Sequence, residues 1–359
     1  MEGYKVNIDI KFMEDEEEQP KKSYLVPFLN DCLPSRGDKK VRLLSKFILM
    51  SCYILFLFSV IYILNYYVES FQAEMAQAEI RHNYTVALQH KDMYVPVTQT
   101  TTIVPEDMPV TEETPVIEEV PVILEPTEAA KMLLEQNEDT VGYIKIDGLM
   151  VDSVVVQGED NDYYLSHNFY KEEKQCGTLF VDYRATIGTN KDSQNFIIYG
   201  HNQKDGTMFG EMDYYRWNLD LWKTKNIIHF NTNYENNDYL IVASFVTNAI
   251  PEQDNGTIFE YWNYIEFNDT YKFEDWKEAV LQRTTFFTGY DFDETDEYIT
   301  LSTCSTEWEP SRHVIIARKL REDEDANNID VSGWEKNTNP RWPQIYYDCY
   351  GGDGWEADN

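Results

Sequence analysis

Basic side chains are scarce in this chain: 30 Lys and Arg stand against 64 Asp and Glu, a formal net charge of −34 over 359 residues. Nucleic acid is therefore excluded as a partner, because neutralising phosphates requires a basic face. Cysteine is sparse as well. The five cysteines, Cys32, Cys52, Cys176, Cys304 and Cys349, are odd in number and scattered, which is not a disulfide framework. No two have C-x-x-C spacing, which argues against a structural zinc site. Cys32 and Cys52 precede or lie within the hydrophobic segment described next, so of the remaining three at least one stays unpaired in a monomer. Long apolar runs are absent with one exception, 47–68, which carries no charge in 22 residues.

That run is long enough to cross a bilayer as a helix. It begins too far from the N-terminus for a signal peptide and is not followed by small residues for cleavage. Lys39, Lys40, Arg42 and Lys46 precede it, and Tyr66 and Tyr67 suit the far interface. The positive flank predicts a cytoplasmic segment 1–46, a transmembrane helix 47–68 in the lipid bilayer, and everything later outside the cell membrane, as a single-pass protein. Residues 1–46 balance nine acidic against nine basic side chains, so the whole negative charge follows the run. Residues 69–126 read as a Pro-, Glu- and Thr-rich extracellular stalk, with Glu69 to Gln89 able to continue as a polar helix and the remainder extended to give reach.

A hydrophobic content of 42% with 26 Tyr is enough to bury a core, and residues 127–320 carry it. Thr127 caps a helix. Eight β-branched, apolar runs follow, at 143–146, 151–156, 178–181, 196–199, 227–230, 239–246, 298–303 and 314–317. At this spacing they predict a mainly β barrel or sandwich. An amphipathic helix, Phe273–Arg283, interrupts them, and short helices fit 163–167 and 208–214. Residues 321–359 form an acidic C-terminal tail whose Trp334, Trp342, Tyr346 and Tyr347 are unusual for a solvated segment; they suggest docking back on the domain.

Two constellations carry chemistry. The run 298–304 is a strand ending in Cys304, and Arg312 opens the next strand eight residues later. If the strands pair, the guanidinium returns beside the sulfur, where it would favour the nucleophilic thiolate and could bind an oxyanion. A lone strand-end Cys is more often a buried structural residue. The run 195–202 is an apolar strand ending in Gly-His-Asn, which would set His201 at a strand mouth as a general acid and base. A single His is by default a surface or capping group. His82 and His90 lie in the stalk, His167 and His229 lack a glycine turn at a strand end, and His313 would face away from Arg312.

TLSTC at 300–304, YGHN at 199–202 and the Arg eight residues after the Cys resemble the sortase family. TVGYIKIDG (140–148), VVQGEDNDYYLSHNFY (155–170), GTLFVDYR (177–184), DGTMFGEM (205–212) and the helix before the Cys strand resemble its class B members. The likeness covers roughly 128–320. It implies an eight-stranded β-barrel with a few short helices. It also implies a membrane-anchored cysteine transpeptidase that cleaves the C-terminal sorting signal of secreted proteins after a threonine. By that likeness Cys304 is the nucleophile, His201 the acid and base, and Arg312 the group that holds substrate or oxyanion. Tyr199, Asn202, Ser302 and Thr303 would line the cleft. The acceptor would be an amine of peptidoglycan or of a pilin, and no cofactor or metal is implied. Three features depart from the family's pattern: a lengthened loop at 185–194, Cys176 where a small inert residue is expected, and the tail. A surface cysteine endopeptidase resolving the same thioacyl enzyme with water is the competing reading, weakened by the absence of a C-G-S-C-W signature. A non-catalytic anchored scaffold fits less well, since all three residue types fall at strand ends.

Overall fold

The computed structural model describes residues 33–34, 37–89, 125–188, 192–352 and 354–356. The part of the predicted cytoplasmic segment up to residue 32, the Pro-rich part of the expected stalk (95–124) and three residues of the loop 185–194 lie outside the described residues. The chain divides into two compact units between Glu69 and Ser70.

The first unit is dominated by the opening part of α1 (Lys40–Gln89), a 50-residue helix. Neither Gly nor Pro interrupts it, and Leu, Ile, Phe and Tyr sustain it. Its apolar side chains over 47–68, among them Leu55, Phe56, Phe58 and Tyr62, face outward and are largely exposed. The helix is long and apolar enough to cross a membrane by length and composition.

The second unit, from Ser70 onward, is built on a closed barrel. Its strands are β1 (Thr140–Lys145), β2 (Asp152–Val156), β3 (Leu179–Val181), β4 (Asn195–Tyr199), β5 (Ile227–Thr232), β6 (Asn236–Asn248), β8 (Tyr298–Cys304) and β9 (Ser311–Lys319). They close in the order β1-β2-β3-β4-β8-β9-β6-β5. β2–β3 and β4–β8 are parallel pairs, and the others are antiparallel. All eight predicted strands are the barrel strands. β8 is buried on both faces up to its last residue, which is why it reads as a continuous apolar run rather than an alternating one. One cover is α4 (Phe273–Arg283), which lays Phe273, Trp276 and Val280 against the barrel. The Trp276 ring meets Tyr298 edge-on at 5.0 Å. Between β1 and the preceding chain stands α2 (Glu128–Leu134), capped by Thr127, whose Oγ1 accepts from the Ala130 amide at 3.2 Å. α3 (Leu219–Thr224) has no counterpart in the sequence reading; six residues are too few to show a helical period.

Residues 70–88 differ from the stalk expected of them. They are helical, as predicted, but packed on the outer face of the barrel. Ile80 and Tyr84 are buried in a second apolar cluster with Ala129, Leu133, Tyr143, Val154, Val156 and Phe180. The Tyr84 and Tyr143 rings stack at 3.9 Å and 9°. Gln77 accepts from Ser153 Oγ at 3.1 Å, Asn231 Nδ2 donates to Tyr84 Oη at 3.1 Å, and Arg81 pairs with Asp152 at 3.6 Å. The signal in the sequence is short: Ile80, Tyr84, Ala87 and Leu88 recur at helical spacing over two turns only, among Gln, Glu, Arg, His and Asn.

The tail also docks, through its aromatics. β10 (Glu335–Lys336) pairs with β7 (Phe286–Phe287), and Trp334 enters the main core beside Trp222. Trp342 joins Val246 and Trp308 in a third cluster, with Tyr346 of α5 (Gln344–Tyr350) stacked on it at 4.6 Å. At the start of the tail, Glu324 accepts two hydrogen bonds from the buried Arg318 guanidinium, at 2.8 and 2.6 Å.

Candidate active site

The site is assembled by strand register. β8 and β9 pair antiparallel with Cys304 opposite Arg312. The eight-residue separation is thus a short loop between facing residues, and Arg312 Nη1 lies 3.6 Å from Cys304 Sγ. Cys304 is the first exposed residue of its strand. Side chains directly opposite on antiparallel strands share a face, so the next residue, His313, turns the other way. It is fully buried, with Nε2 2.8 Å from Ser244 Oγ. Burial, and then the Arg216 charge, push His313 down to about 3, so it is neutral.

The imidazole arrives on the parallel neighbour. β4 runs beside β8 from Asn195 opposite Tyr298 to Tyr199 opposite Ser302. The Gly200 amide then donates to the Ser302 carbonyl at 3.2 Å. Continued by two residues, this register brings His201 level with Cys304. Its Nε2 is 2.7 Å from the Leu165 carbonyl oxygen. A carbonyl only accepts, so Nε2 carries the hydrogen and Nδ1 is the ring's basic nitrogen. Gly200 serves a purpose other than the sharp turn expected: its φ is not positive. A Cβ there would sit 2.2 Å from Leu179 Cδ2 and 2.8 Å from Phe209 Cδ2, so the strand passes where no side chain fits.

The four residues expected to line the cleft are placed as follows. Asn202 Nδ2 donates to the Cys304 carbonyl at 2.9 Å. Thr303 is buried and donates to the Gly200 carbonyl at 2.7 Å, stitching β8 to β4. Ser302 is buried with Oγ 2.7 Å from Tyr261 Oη. Tyr199 donates to Asp182 Oδ2 at 3.0 Å, and burial followed by the Asp182 charge raises its pKa, keeping it a phenol. Burial pushes the Asp182 carboxyl up, but hydrogen bonds from the Arg184 fork outweigh it and hold the group below its ordinary value. Ser302 and Thr303 thus have their hydroxyls committed inside the protein.

Sequence reasoning did not find Leu165, Tyr261 or Asp213. Leu165 contributes a backbone oxygen, which no residue type announces. Tyr261 stands in a short 3-10 turn, Tyr261–Asn263, far along the chain from Ser302. Burial pushes Tyr261 up to about 12, with Ser302 and Arg312 acting the other way. Asp213 accepts from Asn202 at 3.0 Å and is one carboxylate among many in an acidic chain.

A thiol touching a guanidinium on one strand pair, with a histidine two residues past the end of the adjoining parallel strand, is equipped for acyl transfer through sulfur. Comparison with known proteins agrees with this chemistry. Residues 144–320 match the sortase domain family. Sortase B of Listeria monocytogenes is 34% identical over 193 residues, 53% of this chain and 74% of that protein. Sortase B of Staphylococcus aureus is 25% identical over 187 residues, 51% of this chain and 71% of that one. Among solved structures, a Staphylococcus aureus sortase B–substrate complex superposes with a TM-score of 0.55 at 19% identity, covering 71% of this chain and all of that one, a likeness of fold. With its barrel, its family match and its relatives taken together, the chain belongs to the sortase family, class B, whose members are cysteine transpeptidases of surface-protein sorting.

Proposed function

We propose that Cys304, His201 and Arg312 carry out transpeptidation on secreted proteins bearing a C-terminal sorting signal. The Cys304 thiolate attacks the carbonyl carbon of the signal's threonine. A C–S bond forms, the C–N bond breaks, and protonated His201 gives its Nδ1 proton to the departing amine. Neutral His201 then takes a proton from an incoming amine, which displaces sulfur and restores the thiolate. The Nε2–H···O=C bond to Leu165 holds the ring so that Nδ1 is the nitrogen that exchanges protons. Arg312 stabilises the thiolate and the oxyanion of each tetrahedral intermediate. Tyr199, Asn202, Ser302 and Thr303 support the cleft, the last two from within.

The single observation that supports this reading is the 3.6 Å contact between Arg312 and Cys304, on the strand that pairs in parallel with β4 as far as Tyr199, two residues before His201. We assign residues 47–68 to the bilayer, 1–46 to the cytoplasm and the barrel to the outer face, on the strength of the basic flank. The acceptor is an amine of peptidoglycan or of a pilin subunit.

Detergent-solubilised protein should turn over a fluorogenic threonine-containing sorting peptide, faster when an amine nucleophile is added, with the peptide–amine adduct as the product. Cys304→Ala should stay folded and be inactive. Identical rates with and without amine, all hydrolysis, would show a peptidase instead, and activity in Cys304→Ala would remove that sulfur from the reaction.

A further inference from the structure

We infer that Asp213 is a positioning residue for Cys304, acting through Asn202; the inference rests on the function proposed above. The backbone ladder between β4 and β8 ends with Gly200 donating to Ser302. The next rung toward the Cys304 carbonyl is supplied by a side chain, Asn202 Nδ2, at 2.9 Å. An amide nitrogen has two hydrogens, and the second goes to Asp213 Oδ2 at 3.0 Å. The carboxylate therefore fixes the rotation of the amide that holds the strand end carrying the nucleophile.

Asp213 is itself held. It belongs to the 3-10 segment Gly210–Arg216. Arg216 donates from Nε to the Asp213 carbonyl at 3.3 Å, and its Nη2 lies 3.5 Å from Asp213 Oδ2. The same guanidinium continues to Ser305 Oγ at 3.1 Å and to the Glu307 carboxylate. One short segment thus grips the chain at two successive residues: the carbonyl of Cys304 through Asn202, and the side chain of Ser305 through Arg216. The other titratable neighbour, His313, has Nδ1 3.7 Å from Asp213 Oδ1 and is neutral, so Arg216 is the cation that balances Asp213. Neither of those two facing atoms has a hydrogen-bond partner. Asp213→Asn keeps an acceptor for Asn202 and turns an N–H toward the His313 ring, whereas Asp213→Ala leaves the amide unanchored.

The test compares full-length wild type, Asp213→Ala, Asp213→Asn, Asn202→Ala and the Asn202→Ala/Asp213→Ala pair on the sorting peptide. Since misplacing a reacting group lowers the rate without weakening binding, Asp213→Ala and Asn202→Ala should each lose about tenfold in kcat with KM kept within about twofold. Asp213→Asn should recover most of that loss. The double variant should be no slower than Asn202→Ala alone, the signature of two residues acting as one unit. A kcat for Asp213→Ala within twofold of wild type overturns the inference, as does an Asp213→Asn as slow as Ala, or additive losses in the double variant. If Asp213→Ala does not fold, Asn202→Ala carries the test, and an unchanged kcat overturns it. A wild-type protein inert toward the peptide refutes the function instead. The positioning is then read from alkylation of Cys304 by iodoacetamide, followed by mass spectrometry. The rate should be about threefold slower in Asp213→Ala than in Asp213→Asn, because a displaced thiolate loses its guanidinium, and equal rates overturn the inference.

Discussion

Two arginine and histidine neighbours on β9 show how one step along a strand changes what a residue can do. Arg312 faces the thiol and is half-buried at the rim. Its planar fork presents N–H groups to sulfur and an oxyanion in a fixed geometry that a compact ammonium lacks, so Arg312→Lys should lower kcat at least about tenfold in the peptide assay, roughly 1.4 kcal/mol of transition-state binding. Turnover near wild type would show that charge alone suffices. His313, one residue on, is sealed inside. Unfolded, it takes up a proton near pH 6.5; folded, only near about 3. The unfolded chain therefore binds more protons through that window, and stability falls as pH is lowered from about 6.5 towards 3. Between pH 7.5 and 5.5 this one group should cost about 1 kcal/mol. Urea titrations at the two pH values test it: the pH slope should shrink in His313→Gln, whatever that variant's absolute stability, and an unaltered slope would assign the loss to other groups.

At the scale of elements, legibility in the sequence followed periodicity and punctuation. The eight barrel strands and α4 are readable because their apolar residues recur at the strand or helix period, between turn residues. Cys304, His201 and Arg312 stand out as candidates in the sequence because each closes or opens such a run. What remains hidden depends on contacts distant in sequence. Asp213 meets Asn202 only after the segment Gly210–Arg216 folds back, and Tyr261 meets Ser302 across 41 positions. The helical stretch 70–88 is the clearest case. Its apolar stripe of Ile80, Tyr84, Ala87 and Leu88 covers only two turns, and only the barrel's outer face tells these residues what to pack on. A buried aromatic cut to Ala typically costs about 3 kcal/mol, so Tyr84→Ala should lower the barrel's urea stability by that order, although it lies before the matched family region. A change under about 0.5 kcal/mol, the range of ordinary surface substitutions, would mean that the stretch is not part of the folded unit.

At the scale of the whole molecule, sequences outside the sortase core have become part of its structure at both ends. The tail contributes a core tryptophan, Trp334, and an aromatic cluster against Trp308, which stands in the loop between Cys304 and Arg312. Before the core, the chain is seated on the barrel at Leu88 and again at Thr127, whose amide donates to the Asn233 carbonyl at 2.8 Å. A single nick between those two seats would consequently not shed the enzyme. The upstream fragment would keep Ile80 and Tyr84 in place, and the two pieces would migrate together on a sizing column yet part on a denaturing gel. A protease site engineered near residue 110 makes the comparison direct, and a barrel that elutes alone after cutting would show that the covalent link, not the stacked tyrosines, holds it.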